Sequence, residues 1–178
     1  IYASVISNSL KVNLISGAPI VVKLLESSQG KGVILAETKK AATSVISAFQ
    51  KLQAPFIVQD FVKDSNGSDL RLFVIGDRVI ASMLRSASEN DFRSNLHLGG
   101  TATKIKITQE ERKIAKCAVR AMGLSIAGVD ILRSSDGPKV LEVNSSPGLR
   151  GIETVNNMNI ASKIVDYVEK RLGLSKII

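Results

Sequence analysis

The 178-residue sequence has one cysteine, one histidine and no tryptophan, and each scarcity removes a class of function. Cys117 cannot close an internal disulfide, and with His97 the sole imidazole, the thiolate and imidazole clusters that hold zinc or iron cannot be assembled. The place of Cys117 in a helical pattern predicts a small buried residue rather than a reactive thiol. Aromatic residues make up 4% of the chain, too few for the stacking platforms on which single-strand binders hold bases, so direct nucleic-acid binding is not expected. No run of about 18 uninterrupted apolar residues is present to span a bilayer, and no basic-then-apolar leader opens the chain. These features predict a soluble, cytoplasmic protein without a membrane partner. The chain opens on the strand-like "IYASVIS" without an initiator methionine, which suggests a piece of a larger protein.

What is present supports a core and an anionic partner. Apolar residues account for 44% of the chain, and 24 basic against 16 acidic residues leave a net charge of +8. The apolar fraction suffices for one ordinary domain or two small lobes. The positive balance attracts anions without naming them, and the lack of aromatics favours small ones.

Strand and helix signals alternate along the chain. "IYASVI", "PIVVKLL", "VILAE" and "PFIVQDF" are rich in β-branched and aromatic residues and predict strands. Asn8 to Ile15 suggests a short helix, and Thr38 can cap a longer one running to about Gln53, because Ala42, Val45, Ile46 and Phe49 recur at helical spacing. After the turn-rich "KDSNGS", "DLRLFVIGDRVIASMLR" mirrors itself about Gly76-Asp77, a two-residue hairpin turn. The loop "SASENDFRSNLHLGG" leads to the strand "TATKIKI". Thr108 with Glu111 three residues on forms a capping-box signature for a helix to about Met122. Two strands joined by "SSDGP" and a final helix from about Asn159 to Leu172 complete an α+β pattern with mainly antiparallel sheets.

The chemistry concentrates in "AGVDILRSSDGPKVLEVNSSPG". A hairpin with Asp136 at the centre of a five-residue loop places Arg133 opposite Lys139, Ile131 opposite Leu141 and Val129 opposite Val143, a continuous aliphatic face. Its other face then carries Asp130 opposite Glu142, with Asn144 one step along. Two carboxylates so placed repel unless a cation lies between them. Magnesium fits, being held by one or two carboxylates plus substrate phosphates; a lysine or arginine neutralising the pair is the alternative. Lys23, in the middle of an apolar strand, needs either an anion or a route to water. "SSQGKG" resembles a phosphate-covering turn. Asp69 and Arg71 share a strand face and could form a salt bridge. Arg85 does not share that face in a simple two-residue hairpin register, and reaches a common ligand with Arg71 only if a bulge or a strong twist intervenes.

In their order along the chain, "IVVKLL", "SSQGKGV", "FIVQDF", "DLRLFVIGD", "DFRSNLHLGG", "AGVDILRS" and "VLEVNSSPGL" resemble an ATP-grasp ligase, and specifically a RimK-type glutamate ligase. That family adds glutamate to the acidic C-terminus of a ribosomal protein. The resemblance implies an ATP-grasp fold of two α+β lobes, residues 1–60 and 61–178, with ATP between them and the N-terminal domain of the parent protein absent. It implies that Lys23 contacts the phosphates, that Asp60 and Phe61 form the adenine hinge and that Asp69 binds the ribose. It further implies that Arg93, Ser94 and Asn95 reach the nucleotide, with Arg93 the catalytic residue. Asp130, Glu142 and Asn144 would hold two magnesium ions, for which manganese can substitute. Asp60 departs from the glutamate more frequent in the family.

The implied reaction is carboxylate–amine ligation through an acyl phosphate, with ATP, glutamate and an acidic peptide as partners and a homo-oligomer left open. It needs positioning and charge neutralisation more than a protein nucleophile, which suits a chain so poor in Cys and His. Three alternatives stand beside it: an ATP-grasp ligase for another amino acid or acceptor, a non-catalytic nucleotide-binding module, and a basic RNA-binding domain.

Overall fold

The structure is a computed structural model that describes the backbone of residues 3–6 and residues 17–27, 30–89 and 91–174. Contacts divide the chain into two compact units, Ile1–Asn66 and Gly67–Ile178. Among the described residues no helix is long and apolar enough to cross a membrane.

The first unit is an antiparallel sheet of β1 (Ala3–Ile6), β4 (Phe56–Asp60), β2 (Ile20–Leu24) and β3 (Val33–Ala36), in that spatial order, with helix α1 (Lys39–Lys51) on one face. Alternation sends Ile20 and Val22 toward the helix, where they meet Ala42, Ile46, Phe56 and Val58 in a closed core. Val21 and Lys23 therefore lie on the opposite face. Thr38 begins α1 by accepting a hydrogen bond from the Ala41 amide at 3.1 Å, as its cap signature predicts. The expected helix at Asn8–Ile15 lies outside the described residues.

The second unit is a five-stranded antiparallel sheet in the order β7 (Thr101–Lys104), β6 (Arg78–Ser86), β5 (Ser68–Ile75), β8 (Ile126–Leu132), β9 (Lys139–Asn144). Helix α2 (Gln109–Ala121) covers one face, burying Ala115 and Val119 against Leu70, Leu72, Val74, Val129 and Ile131. On the other face, α3 (Arg150–Asn156) and α4 (Ile160–Arg171) bury Ile152 and Ile160 against Phe73, Ile75, Ala81 and Met83. Those apolar residues occupy only the half of the face near the Gly76-Asp77 turn. The half toward the opposite strand ends carries Asp69, Arg71, Arg85 and Asp130.

Three sequence expectations are corrected. Cys117 is exposed rather than buried, because α2 turns Glu111, Ala115 and Val119 inward at four-residue spacing and leaves position 117 on the solvent side. Helix α3 was not expected; its seven residues bury only Ile152, too little for a periodic signal. In the β8–β9 hairpin, Val129 and Asp130 face Val143 and Glu142 as predicted, but a register shift after Asp130 pairs Ile131 with Val140 and Leu132 with Lys139. Leu141 is the bulged residue, and Val140 takes its place in the core. Arg133 leaves the ladder because its guanidinium is drawn to Glu111, with Nε donating to Oε1 at 2.6 Å.

Glu111 completes the capping box of α2: its carboxylate accepts from the Thr108 amide at 2.8 Å while Thr108 Oγ1 accepts from the Glu111 amide at 3.1 Å. Burial alone would push the Glu111 carboxyl up, but the hydrogen bonds from Arg133 and Thr108 outweigh it and hold the group below its ordinary value. A carboxylate depressed in the folded state stabilises above its unfolded pKa of about 4.3 and loses that contribution as the pH falls. Glu111→Gln should therefore cost about 1–2 kcal/mol at pH 7, and urea melts between pH 5 and 2 should show a shallower loss of stability than wild type. Identical pH slopes would contradict this assignment.

Candidate functional site

The polar half of the second sheet's face is built by two strand irregularities and one glycine. A simple two-residue hairpin would leave Arg85 off the face of Arg71. A bulge between Phe73 and Val74 shifts the register by one, placing Arg85 directly opposite Asp69. Across the next ladder Arg71 lies opposite Asp130, and Asp130 opposite Glu142. One face of four adjacent strands thus carries Arg85, Asp69, Arg71, Asp130 and Glu142.

The charges interlock. Arg85 donates from Nε to Asp69 Oδ1 at 2.7 Å and from Nη2 to Asp69 Oδ2 at 2.7 Å, and the same Nη2 reaches Asp130 Oδ2 at 2.7 Å. Arg71 holds Asp130 as a second fork, its Nε on Oδ1 and its Nη2 on Oδ2. Asp130 is 1% exposed and Asp69 5%. Burial pushes the Asp130 carboxyl up, but the Arg85 charge and the Arg71 hydrogen bonds keep it below the usual carboxylate range. Burial likewise works against the charge of Arg85, yet Asp130 and Asp69 raise its pKa above the ordinary arginine value. Asp69 and Arg71, candidates for a pair with each other, are instead paired with Arg85 and Asp130.

The "DFRSN" loop docks onto this network. Ser94 is buried and donates its hydroxyl to Asp69 Oδ2 at 2.5 Å. Arg93 folds back on Asp91, with Nη2 on Oδ2 at 2.7 Å, Nε on Oδ1 at 2.9 Å and its backbone amide on Oδ1 at 2.9 Å. The guanidinium stands 5.9 Å from the centroid of the Phe92 ring, and its hydrogen bond holds the Asp91 carboxyl below the usual value. Gly100 closes the loop: a Cβ there would come within 2.9 Å of the Ser86 carbonyl oxygen and 3.0 Å of that of Ser94. Asn95 introduces a single 3-10 turn, Leu96–Leu98.

Whether this face fits a metal can be judged from its donors. Asp130 already accepts three arginine hydrogen bonds of the roughly four a carboxylate can take, and Glu142 lies directly opposite it across the ladder. Asn144 donates Nδ2 to Glu142 Oε1 at 3.0 Å. The set is two carboxylates and an amide, all hard oxygen donors, which suits magnesium. Among the described residues no three carboxylate, imidazole or thiolate groups gather into a metal site. The face thus presents two carboxylates and an amide on adjacent strands.

Of the sequence candidates, Asp69, Ser94, Asp130, Glu142 and Asn144 come together here, with Arg93 and Asn95 in the adjoining loop. Lys23, Asp60 and Phe61 belong to the first unit. Lys23 lies half-buried on β2 between Ile57 and Val33; Asp60 ends β4 opposite Ile20, and the Phe61 amide donates to the Pro19 carbonyl at 3.4 Å. Sequence reasoning did not place Arg71, Arg85, Asp91, Gly128 or Pro147 in the site. The glycine of "AGVD" was a usable signal: a Cβ on Gly128 would meet Pro147 Cβ at 2.7 Å and Arg71 Cδ at 3.2 Å. The "SSPG" turn packs over that bare position, beside Asn144, its ladder partner.

Comparison with known proteins agrees with this architecture. The PsnB ATP-grasp ligase complexed with its minimal precursor superposes with a TM-score of 0.65 at 27% identity, over 86% of this chain and 48% of PsnB. The D-alanine–D-alanine ligase of Bacillus anthracis superposes at 0.71 with 16% identity, over 95% of this chain and 60% of that one. The fold is ATP-grasp. The model of the RimK-like ATP-grasp domain matches residues 6–168, and the chain belongs to that family. It is 60% identical over 159 residues to the probable alpha-L-glutamate ligase 1 of Shewanella sp. (strain MR-4), covering 89% of this chain and 53% of that protein. The counterpart in Shewanella oneidensis is 59% identical over 165 residues. The chain spans about half the length of these relatives.

Gly128→Ala should lower stability by about 1–3 kcal/mol, because Pro147 or Arg71 must give way. Gly148→Ala, where a Cβ meets nothing within 4 Å, should stay within about 0.5 kcal/mol of wild type. Denaturant midpoints compare the two, and equal midpoints would show that the Pro147 contact does not constrain the turn.

Proposed function

We propose that the protein is an ATP-dependent carboxylate–amine ligase that joins glutamate to an acidic peptide terminus through an acyl phosphate. The observation that carries the reading is Asp130 directly opposite Glu142, with Asn144 alongside, on a sheet face anchored by two arginines. The likeness to proteins named alpha-L-glutamate ligase supports the choice of amino acid. The acidic C-terminus of a ribosomal protein is the acceptor that the resemblance suggests. PsnB, complexed with a peptide precursor, supports a peptide acceptor more generally.

In this reading Lys23, Asp60, Phe61, Asp69, Arg93, Ser94 and Asn95 bind ATP, and Asp130, Glu142 and Asn144 hold two magnesium ions. Bound there, magnesium would neutralise phosphate charge and lower the barrier to phosphoryl transfer. An acceptor carboxylate oxygen bonds to the γ-phosphorus of ATP as the bond to the β–γ bridging oxygen breaks and ADP leaves. The glutamate amine then attacks the acyl carbon, and inorganic phosphate departs with one amine proton lost to solvent. The chain's part is electrostatic. Arg93 leaves Asp91 for the nucleotide and offsets charge on the transferring group, while Asp69 and Ser94 hold the loop against the sheet.

Incubating an acidic peptide with the intact protein, ATP, magnesium and each amino acid in turn should give a mass ladder of glutamate increments, weakening as salt screens the basic surface. Additions of another amino acid alone would select the different-substrate ligase. ATP binding without any product would select the non-catalytic module. Glu142→Gln should remove most turnover at limiting magnesium without lowering the melting temperature by more than a few degrees. Unchanged turnover there would take Glu142 out of the metal site.

A further inference from the structure

Arg85 hydrogen-bonds both Asp69 and Asp130, and its bonds to them are unequal. It grips Asp69 as a two-point fork and touches Asp130 through Nη2 alone. Releasing Asp130 therefore costs Arg85 one hydrogen bond and leaves the fork intact. With Arg85 in place the buried set is balanced, two arginines against two aspartates, and only Glu142 adds net negative charge at the metal edge. A bare dication approaching Asp130 would meet a carboxylate that already accepts three arginine hydrogen bonds, and would sit close to two guanidinium charges. A polyphosphate removes that obstacle, since its oxygens supply both the missing ligands and the missing negative charge.

We propose that Arg85 is a positioning residue that acts as an internal counter-cation: it withholds Asp130 from a metal ion until nucleotide is present, and so makes metal and nucleotide binding mutually dependent. The link to the nucleotide side runs through Asp69, which receives both the Arg85 fork and the Ser94 hydroxyl of the "DFRSN" loop. Nucleotide that engages the loop draws on Asp69, Asp69 holds Arg85, and Arg85 yields Asp130. The coupling is reciprocal, so metal at Asp130 tightens nucleotide binding by the same factor. This inference rests on the magnesium–nucleotide reading above and adds to it a residue that contacts neither ligand.

A purely structural Arg85 and a counter-cation predict opposite signs for one quantity, the affinity of the nucleotide-free protein for metal. Manganese binding, followed by electron paramagnetic resonance with and without ADP and with the ADP–manganese association measured separately, reads it directly. Wild type should bind manganese weakly alone and more tightly with ADP. Arg85→Gln should bind manganese alone about tenfold more tightly than wild type, a coupling of ordinary size, and the effect of ADP should shrink by a similar factor. Arg85→Lys, which keeps the charge but not the fork, should fall between the two. If Arg85→Gln melts below the assay temperature, Arg85→Gln/Asp69→Asn keeps the charge balanced and carries the same expectation for manganese binding without ADP. A folded variant whose manganese affinity without ADP equals or falls below that of wild type overturns the inference while leaving the metal–nucleotide reading standing. A wild-type protein that binds no manganese even with ADP overturns both.

Discussion

Two aspartates on adjacent strands of one sheet are buried, and their charge must be matched where they stand. Breaking a buried, hydrogen-bonded ion pair by removing one partner costs on the order of 3–5 kcal/mol, so the arginines that match Asp69 and Asp130 are fixed by the fold as firmly as any core residue. The remainder of the second unit is arranged around that requirement. The bulge in β5–β6 brings Arg85 into register with Asp69. The bare Gly128 admits the Arg71 side chain and Pro147, and the Ser94 hydroxyl fastens the loop to the same carboxylate. Helices α3 and α4 cover only the apolar half of this face. The charged half is left as a platform of fixed donors and acceptors, the kind of preorganised environment that phosphoryl transfer requires.

Much of this was legible in the sequence where a single local signal sufficed. Thr38, and Thr108 with Glu111, marked helix starts because a capping hydrogen bond depends on residues three apart. Gly76-Asp77 marked the hairpin, and the alternation of "VLEVN" against "AGVDIL" placed Asp130 opposite Glu142. What escaped depended on partners distant in sequence. Leu141 was expected in the core because strict alternation puts it there; nothing local announces that Arg133 will be drawn to Glu111, 22 residues upstream, and that the strand will bulge. The role of Arg85 was hidden for the same reason, since it depends on a one-residue slip in a ladder whose turn gave no sign of it. Cys117 was misplaced although the apolar residues of α2 that pack on the sheet, Ile114, Ala115, Ala118 and Val119, already define a face that leaves position 117 outside.

The two cations considered for the Asp130–Glu142 pair, arginine and magnesium, are successive rather than competing occupants in this account. Arginine satisfies Asp130 in the protein alone, and the carboxylate of Glu142 with the amide of Asn144 stands at the strand end, where the proposed reading puts magnesium. The donors on this face are oxygens, and oxygen ligands select hard ions such as magnesium.

The central claim, that the charged half of this sheet face holds a metal–nucleotide complex, is tested most directly by a crystal structure of the protein with ADP and magnesium. The account predicts magnesium bound by Asp130, Glu142 and Asn144, and Asp130 still held by Arg71 but parted from Arg85 Nη2. Nucleotide and metal located elsewhere, with the Asp69–Arg85–Asp130 network unchanged from the arrangement described, would contradict it.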